Sequence, residues 1–136
     1  MLPEAAKEHS QAGARAFVKH YIEALNYSFQ SNDPRSLRSI SSDDCTVCAE
    51  LIAAVQKLRK TGGEQRGGLW TASKVSFVPT QPANAPIALV TVELAEGLFK
   101  TGRNAPAQEI RAQRINQEYR LSWGGRVWEL EDVRNL

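Results

Sequence analysis

The sequence predicts an α+β fold in which three N-terminal helices pack in the concave face of a curved four-stranded antiparallel sheet. Two patterns carry this: apolar residues recur at helical spacing as far as about residue 60, and beyond Gly68 they alternate at strand spacing. Length is the third observation. With 136 residues, 42% hydrophobic and 24% charged, the chain suits one core, so residues 1–136 are expected to form a single domain.

The first helix is expected from residue 3 to about 30. Ala14, Phe17, Val18, Tyr21, Ile22, Leu25 and Phe29 fall within one stripe, and Arg15, Lys19, Glu23, Asn26 and Gln30 lie opposite. Pro3 suits its first turn, and Ser31-Asn32-Asp33-Pro34 ends it, since the residue before proline is biased away from helical angles. Asp33 can then cap a short second helix that has Pro34 at its first position and Leu37 and Ile40 as contacts; Ser41 and Ser42 break it. A third helix is expected from Asp43 or Asp44 through Cys48, Leu51, Ile52, Val55 and Leu58. Lys57, Arg59 and Lys60 in its last turn and Gly62-Gly63 beyond fit the helix dipole and a left-handed cap.

The run from Gly62 to Gly68 reads as a flexible connection, and strands are expected over 69–79, 86–98, 108–123 and 126–133. Val90, Val92 and Leu94 alternate with Thr91 and Glu93, as in a sheet with one buried face. Trp123-Gly124-Gly125-Arg126 carries a two-residue hairpin signal. Pro82 and Pro86 mark one connection and 101–106 another, which makes a four-stranded meander the natural reading.

Several chemistries find no footing. Seventeen basic and fifteen acidic residues leave a net +2 of mixed sign, which gives no electrostatic footprint for nucleic acid. Arg111, Arg114 and Arg120 read as a solvated strand face. No stretch approaches the roughly 18 apolar residues that cross a bilayer. Residues 1–7 lack the basic start and apolar middle of a signal peptide, so the chain is expected to be soluble as written. There is no G-x-S-x-G elbow, and Gly62-Gly63-Glu64-Gln65-Arg66-Gly67-Gly68 lacks the lysine of a phosphate loop. His9 and His20 fall on one expected helix, roughly 16 Å apart at 1.5 Å per residue, too far to share a metal. No cofactor and no metal are expected, and no catalytic residue stands out.

The remaining candidates are aromatic or acidic. Tyr21 lies on the apolar stripe, with His20 and Tyr27 at its flank, and Glu93, Glu118 and Asp132 lie on strands. Trp70, Trp123 and Trp128 on a curved sheet could line a ligand pocket or interface, or fill the space beneath the helices. Trp128 shares a strand face with Leu130, which favours packing.

The order of elements resembles the cone-shaped nuclear transport factor 2-like superfamily, which includes ketosteroid isomerases and polyketide cyclases. A closer resemblance rests on Gly13-Ala14-Arg15-Ala16-Phe17-Val18-Lys19-His20-Tyr21, Ala24-Leu25-Asn26-Tyr27, Leu37 and Asp44-Cys45-Thr46-Val47-Cys48. These are similar to a family of uncharacterised actinobacterial lipoproteins, in which such a domain follows a lipid-attachment signal and a Ser/Pro/Thr-rich linker. The resemblance implies an extracytoplasmic location, with membrane attachment only through a lipid anchor absent from this sequence, and implies no activity.

Cys45 and Cys48 then admit three readings. A redox couple wants a preceding strand and an electropositive site, whereas a helix precedes here and Asp43 and Asp44 oppose the thiolate. A lone C-x-x-C is half a zinc site. The third reading, a structural disulfide in the first turn of the third helix, agrees with the compartment that the resemblance implies. The expected function is a non-catalytic cell-envelope domain that binds a small apolar ligand or a protein partner. Tyr21, Tyr27, Trp70, Trp123 and Trp128 are its candidate pocket or interface residues, and a homodimer is expected by analogy. The alternative is an isomerase- or cyclase-like enzyme that uses a pocket carboxylate.

Overall fold

Ser10, rather than Pro3, starts the first long helix. In the computed structural model, which describes residues 2–136, Glu4–Lys7 form one 3-10 turn and α1 runs Gln11–Ser31. The continuous helix expected from residue 3 is broken because the Ser10 hydroxyl accepts from the backbone N–H of Gly13 at 3.0 Å and caps a new N-terminus. Gly13 permits the break. A methyl group there would fall on the carbonyl of Glu8, which crosses the first turn of α1. Met1, the first residue of the expected domain, lies outside the described residues.

At the far end of α1, Asn32 takes a left-handed angle (φ 56°) and its N–H donates to the Ser28 carbonyl. Asp33 Oδ1 accepts from the backbone N–H of Arg35 at 3.1 Å, which orients the start of α2 (Arg35–Ile40). The third helix, α3 (Thr46–Thr61), begins later than Asp43 or Asp44. The Cys45 N–H donates to the Ser42 carbonyl and closes a turn over the two aspartates, so they precede the helix. Its cap is Cys45, whose Sγ accepts from Cys48 N–H at 3.1 Å, and its end is Gly62 at φ 75°.

Seven strands follow: β1 (Glu64–Gly67), β2 (Trp70–Phe77), β3 (Ile87–Leu94), β4 (Gly97–Lys100), β5 (Gln108–Ile110), β6 (Gln113–Trp123) and β7 (Trp128–Asn135). Four of them form the expected antiparallel sheet in the order β2-β3-β6-β7. The expected strands 86–98 and 108–123 each break, at Ala95 and Glu96 and at Arg111 and Ala112, and their outer pieces turn away. Those pieces join β1 in a second sheet of order β1-β4-β5. Residues 64–67 are thus a strand where a flexible connection was expected, because their backbone pairs with β4 from Glu64 opposite Lys100 to Gly67 opposite Gly97. The hairpin at Gly124-Gly125 also differs. Trp123 pairs with Trp128, so the loop has four residues, 124–127, with Gly125 at φ 97°.

Extra residues in β2 (Ser73) and β7 (Glu131) make bulges, which bend the strands that carry them and increase their twist. On the inner face Val90, Val92, Tyr119, Leu121, Trp128 and Leu130 are buried against Phe17, Val18, Tyr21, Ile22 and Leu25 of α1. The outer face carries ion pairs: Glu93 with Arg114 (2.9 Å), Glu118 with Arg120 (3.2 Å) and Asp132 with Arg134 (2.9 Å). The α+β cone expected from the sequence is the fold observed.

Candidate functional site

A groove of about 460 Å³ opens at the end of the larger sheet where the β2–β3 and β6–β7 connections lie. One wall is the break before α1, with His9, Ser10 and Gln11, continued by Ala14. The other wall is Phe77 and the β2–β3 connection, with Pro79, Pro82 and Pro86 and the polar Thr80 and Gln81 among its residues; Trp128 borders the groove from beneath.

Each wall is held by identifiable bonds. Trp128 is buried, and its indole N–H donates to the Glu8 carbonyl at 2.8 Å, which ties the segment before α1 to β7. The His9 ring lies parallel to Trp123 (centroids 4.6 Å, 9°) and meets Trp128 edge-on (5.7 Å, 72°). Trp123 and Trp128 are themselves in T-shaped contact at 5.1 Å. Across the groove, Leu121 N–H donates to Pro86 O (3.1 Å) and Trp123 N–H to Asn84 O (2.8 Å), while Ala85 N–H closes a turn onto Pro82 O. Three prolines and these bonds leave the connection little freedom. Within it Thr80 takes φ 66°, a left-handed angle that is rare for a β-branched residue. Strain of that kind is held in place by surrounding contacts and clusters at functional sites.

The five aromatic candidates scatter. Trp128 lines the groove and Trp123 backs it through His9. Tyr21 lies in the core, where its hydroxyl meets Ser41 Oγ at 3.2 Å, and burial pushes its pKa up. Tyr27 is 54% exposed, in a depression between α1 and α2 that also holds His20 and Glu23. Trp70 borders a small indentation with Leu25 and Phe29. Its backbone N–H and C=O are both bonded to the Asn26 side chain, at 2.9 and 2.8 Å, which fixes β2 to α1. His9 precedes α1, so it does not share a helix with His20 as expected; partial burial lowers the His20 pKa against the opposing effect of Glu23.

Cys45 and Cys48 are bonded to each other and almost fully buried. Next to them Ser42 N–H donates to the Leu130 carbonyl at 3.1 Å, so the bonded pair anchors the start of α3 against β7. The interior holds no buried carboxylate among the described residues; its buried polar side chains are Ser28 and Gln117. Gln117 bonds Asn135 Oδ1 (2.9 Å) and the Tyr119 hydroxyl (3.1 Å), and burial pushes the Tyr119 pKa well above its ordinary value. Glu93, Glu118 and Asp132 all lie on the outer face. Among the described residues no cluster of His, Cys, Asp and Glu could hold a metal ion.

Comparison with known proteins now adds to this geometry. A family of unknown function (DUF6318) matches residues 1–134. The chain belongs to that family. No curated protein matches the sequence. Among solved structures, this DUF6318 chain is similar to the intermembrane space region of the chloroplast protein ARC6, with TM-score 0.66 and 12% identity over 90% of this chain and 93% of that one. It is also similar to a nuclear transport factor 2-like superfamily protein from Salmonella enterica serovar Typhimurium, with TM-score 0.60 and 10% identity over 93% and 92%. A third likeness is to a nuclear transport factor 2-like protein from Cytophaga hutchinsonii, with TM-score 0.58 and 14% identity over 89% and 95%. At these identities the likeness is one of fold. No helix among the described residues is long and apolar enough to cross a membrane.

The groove residues that sequence reasoning missed include His9, Phe77, Pro79 and Thr80. Pro79, Pro82 and Pro86 within eight residues were the available signal, since so stiff a connection can hold a wall open. His9 gave none, because its partners Trp123 and Trp128 lie more than a hundred residues away in sequence.

Proposed function

We propose that this domain is a non-catalytic module of the cell envelope, part of a lipid-anchored actinobacterial protein, that binds a small apolar ligand in the groove beside Trp128. The lining of the groove carries this reading: Phe77, Val78 and three prolines over the buried Trp128, with the polar members Ser10, Gln11, Thr80 and Gln81 and no carboxylate, around about 460 Å³. That volume falls in the range of roughly 300–1,000 Å³ typical of small-molecule sites. The bonded Cys45–Cys48 pair supports an oxidising compartment.

The enzyme alternative asks for an acid or base inside an apolar cavity. Here the cone is filled by Phe17, Tyr21, Val90, Val92 and Leu130, and the candidate carboxylates Glu93, Glu118 and Asp132 are ion-paired on the opposite face. Both features favour the binding module. Mass spectrometry of the protein purified natively tests it: a retained small molecule that is lost on Ala83→Trp, a substitution that fills the groove from an exposed position, is the expected result. Repeatedly empty spectra, or a ligand unaffected by that substitution, would refute it.

A further inference from the structure

A cation stands beside the groove, in contact with one of its lining residues. The Arg15 guanidinium stands over the ring of Phe77, a lining residue, with its carbon 5.4 Å from the ring centroid. Gln11, one turn earlier on the same side of α1, and Ala14, the residue before Arg15, both line the groove. The arginines of the sheets' faces hold carboxylates: Arg66 with Glu64, Arg114 with Glu93, Arg120 with Glu118 and Arg134 with Asp132. Arg15 has no carboxylate partner among the described residues; Arg38, Arg59, Arg103, Arg111 and Arg126 also have none, but they are exposed, whereas Arg15 is partly buried against Phe77, and no acidic residue lines the groove beside it. Glu8, the acid nearest to the groove wall in sequence, is exposed and outside the lining.

A partly buried arginine left without an anion beside a largely apolar groove is an incomplete arrangement. Its five N–H donors form a planar fork that matches a carboxylate or phosphate, and contact with an aromatic ring lowers its hydration without neutralising it. The apolar lining takes hydrocarbon, and the groove is open to solvent along one side, so a bound molecule can keep one polar end at the rim. Together these features select for a ligand with a hydrocarbon body and an anionic head.

Resting on the binding reading above, we propose that the groove takes a single acyl chain bearing an anionic head group, with the chain against Phe77 and the prolines, above the buried Trp128, and the head on Arg15. A fatty carboxylate and a lipid phosphate share this chemistry. The neutral and cationic analogues of the same chain lack the interaction with Arg15.

Titration of the whole protein, followed by tryptophan emission from the groove and by calorimetry, tests this with dodecanoate, dodecyl phosphate, dodecanol and dodecyltrimethylammonium, each below micelle formation. A charge-assisted contact at a half-exposed rim should favour the anions over dodecanol by about tenfold. Arg15→Gln should abolish that preference while leaving dodecanol binding unchanged, and Arg15→Lys, which keeps the charge, should retain most of it. Circular dichroism verifies that the variants fold. Whichever anion binds tighter, its preference over dodecanol supports the proposal and assigns the head group. Dodecanol binding as tightly as the anions, or an anion preference that survives Arg15→Gln, would overturn the head-group assignment while the apolar-ligand reading stands. No binding by any of the four probes would overturn both.

Discussion

Loss of the Cys45–Cys48 bond should lower stability by a calculable amount. The pair closes a loop of four residues, and the chain-entropy relation for so short a loop gives about 2 kcal/mol. For a domain of 136 residues, 1 kcal/mol corresponds to about 4 °C in melting temperature, so the expected fall is about 8 °C. Both cysteines are about 1% exposed, so a reductant reaches the bond when the first turn of α3 opens, and the reduced state is best prepared by unfolding and refolding under reductant. Substitution avoids that requirement. Cys45→Ser with Cys48→Ala removes the bond and keeps a side-chain oxygen where Cys45 Sγ accepts from the N–H of residue 48, so this variant isolates the loop effect. Cys45→Ala with Cys48→Ala removes the cap as well and should cost about 1 kcal/mol more. Melts of the three proteins are read by circular dichroism, with mass spectrometry to verify the oxidised pair in the parent. If the serine variant melts within about 2 °C of the oxidised parent, the loop effect is absent and the stabilising role assigned to the bond is wrong.

Three further outcomes follow from single positions. Gly13→Ala should destabilise by about 1–3 kcal/mol in a melt, although alanine is ordinarily the better helix former, because the added methyl meets the Glu8 carbonyl; a stabilised variant would refute the close approach. Thr80→Asn should raise stability by about 1 kcal/mol, since asparagine tolerates the left-handed angle that threonine resists; an unchanged or lower melting temperature would count against the strain at this wall of the groove. Tyr21 and Tyr119 have raised pKa values because burial disfavours their charged forms. The unfolded chain therefore loses these protons first as pH rises. Stability should be fully present below about pH 10 and fall above it, and ultraviolet titration should show the two tyrosines ionising together with unfolding; ionisation of both without loss of the fold would refute their burial.

Much of the fold was legible because its elements obey local rules. The stripe from Ala14 to Phe29 and the alternation of Val90, Val92 and Leu94 each state one buried face, and Gly62 marked the end of α3. The misreadings share a cause: each depended on a partner distant in sequence. Residues 64–67 have no strand pattern of their own, and pairing with β4 makes them one. The breaks at Ala95 and Glu96 and at Arg111 and Ala112 follow from that same second sheet. The interruption before α1 depended on a glycine at position 13 that is unremarkable in the sequence and becomes necessary only when the Glu8 backbone lies across it.

The candidate site follows the same logic one level up. Five aromatic residues were singled out by type, and type alone does not separate filling from lining: Tyr21 and Trp128 are both buried, but Trp128 lies directly under the groove. The difference lies in what covers each. Tyr21 projects from α1 into the packed core, where its hydroxyl meets Ser41, whereas the end of the sheet near Trp128 is roofed by His9 and a connection stiffened by proline. A filled interior places chemistry at the margin, because the core positions that could hold a reactive group are taken by Phe17, Tyr21, Tyr119 and Leu130 at close packing. Recognition then falls to the groove and its edge, where an apolar lining and the unpaired charge of Arg15 stand side by side.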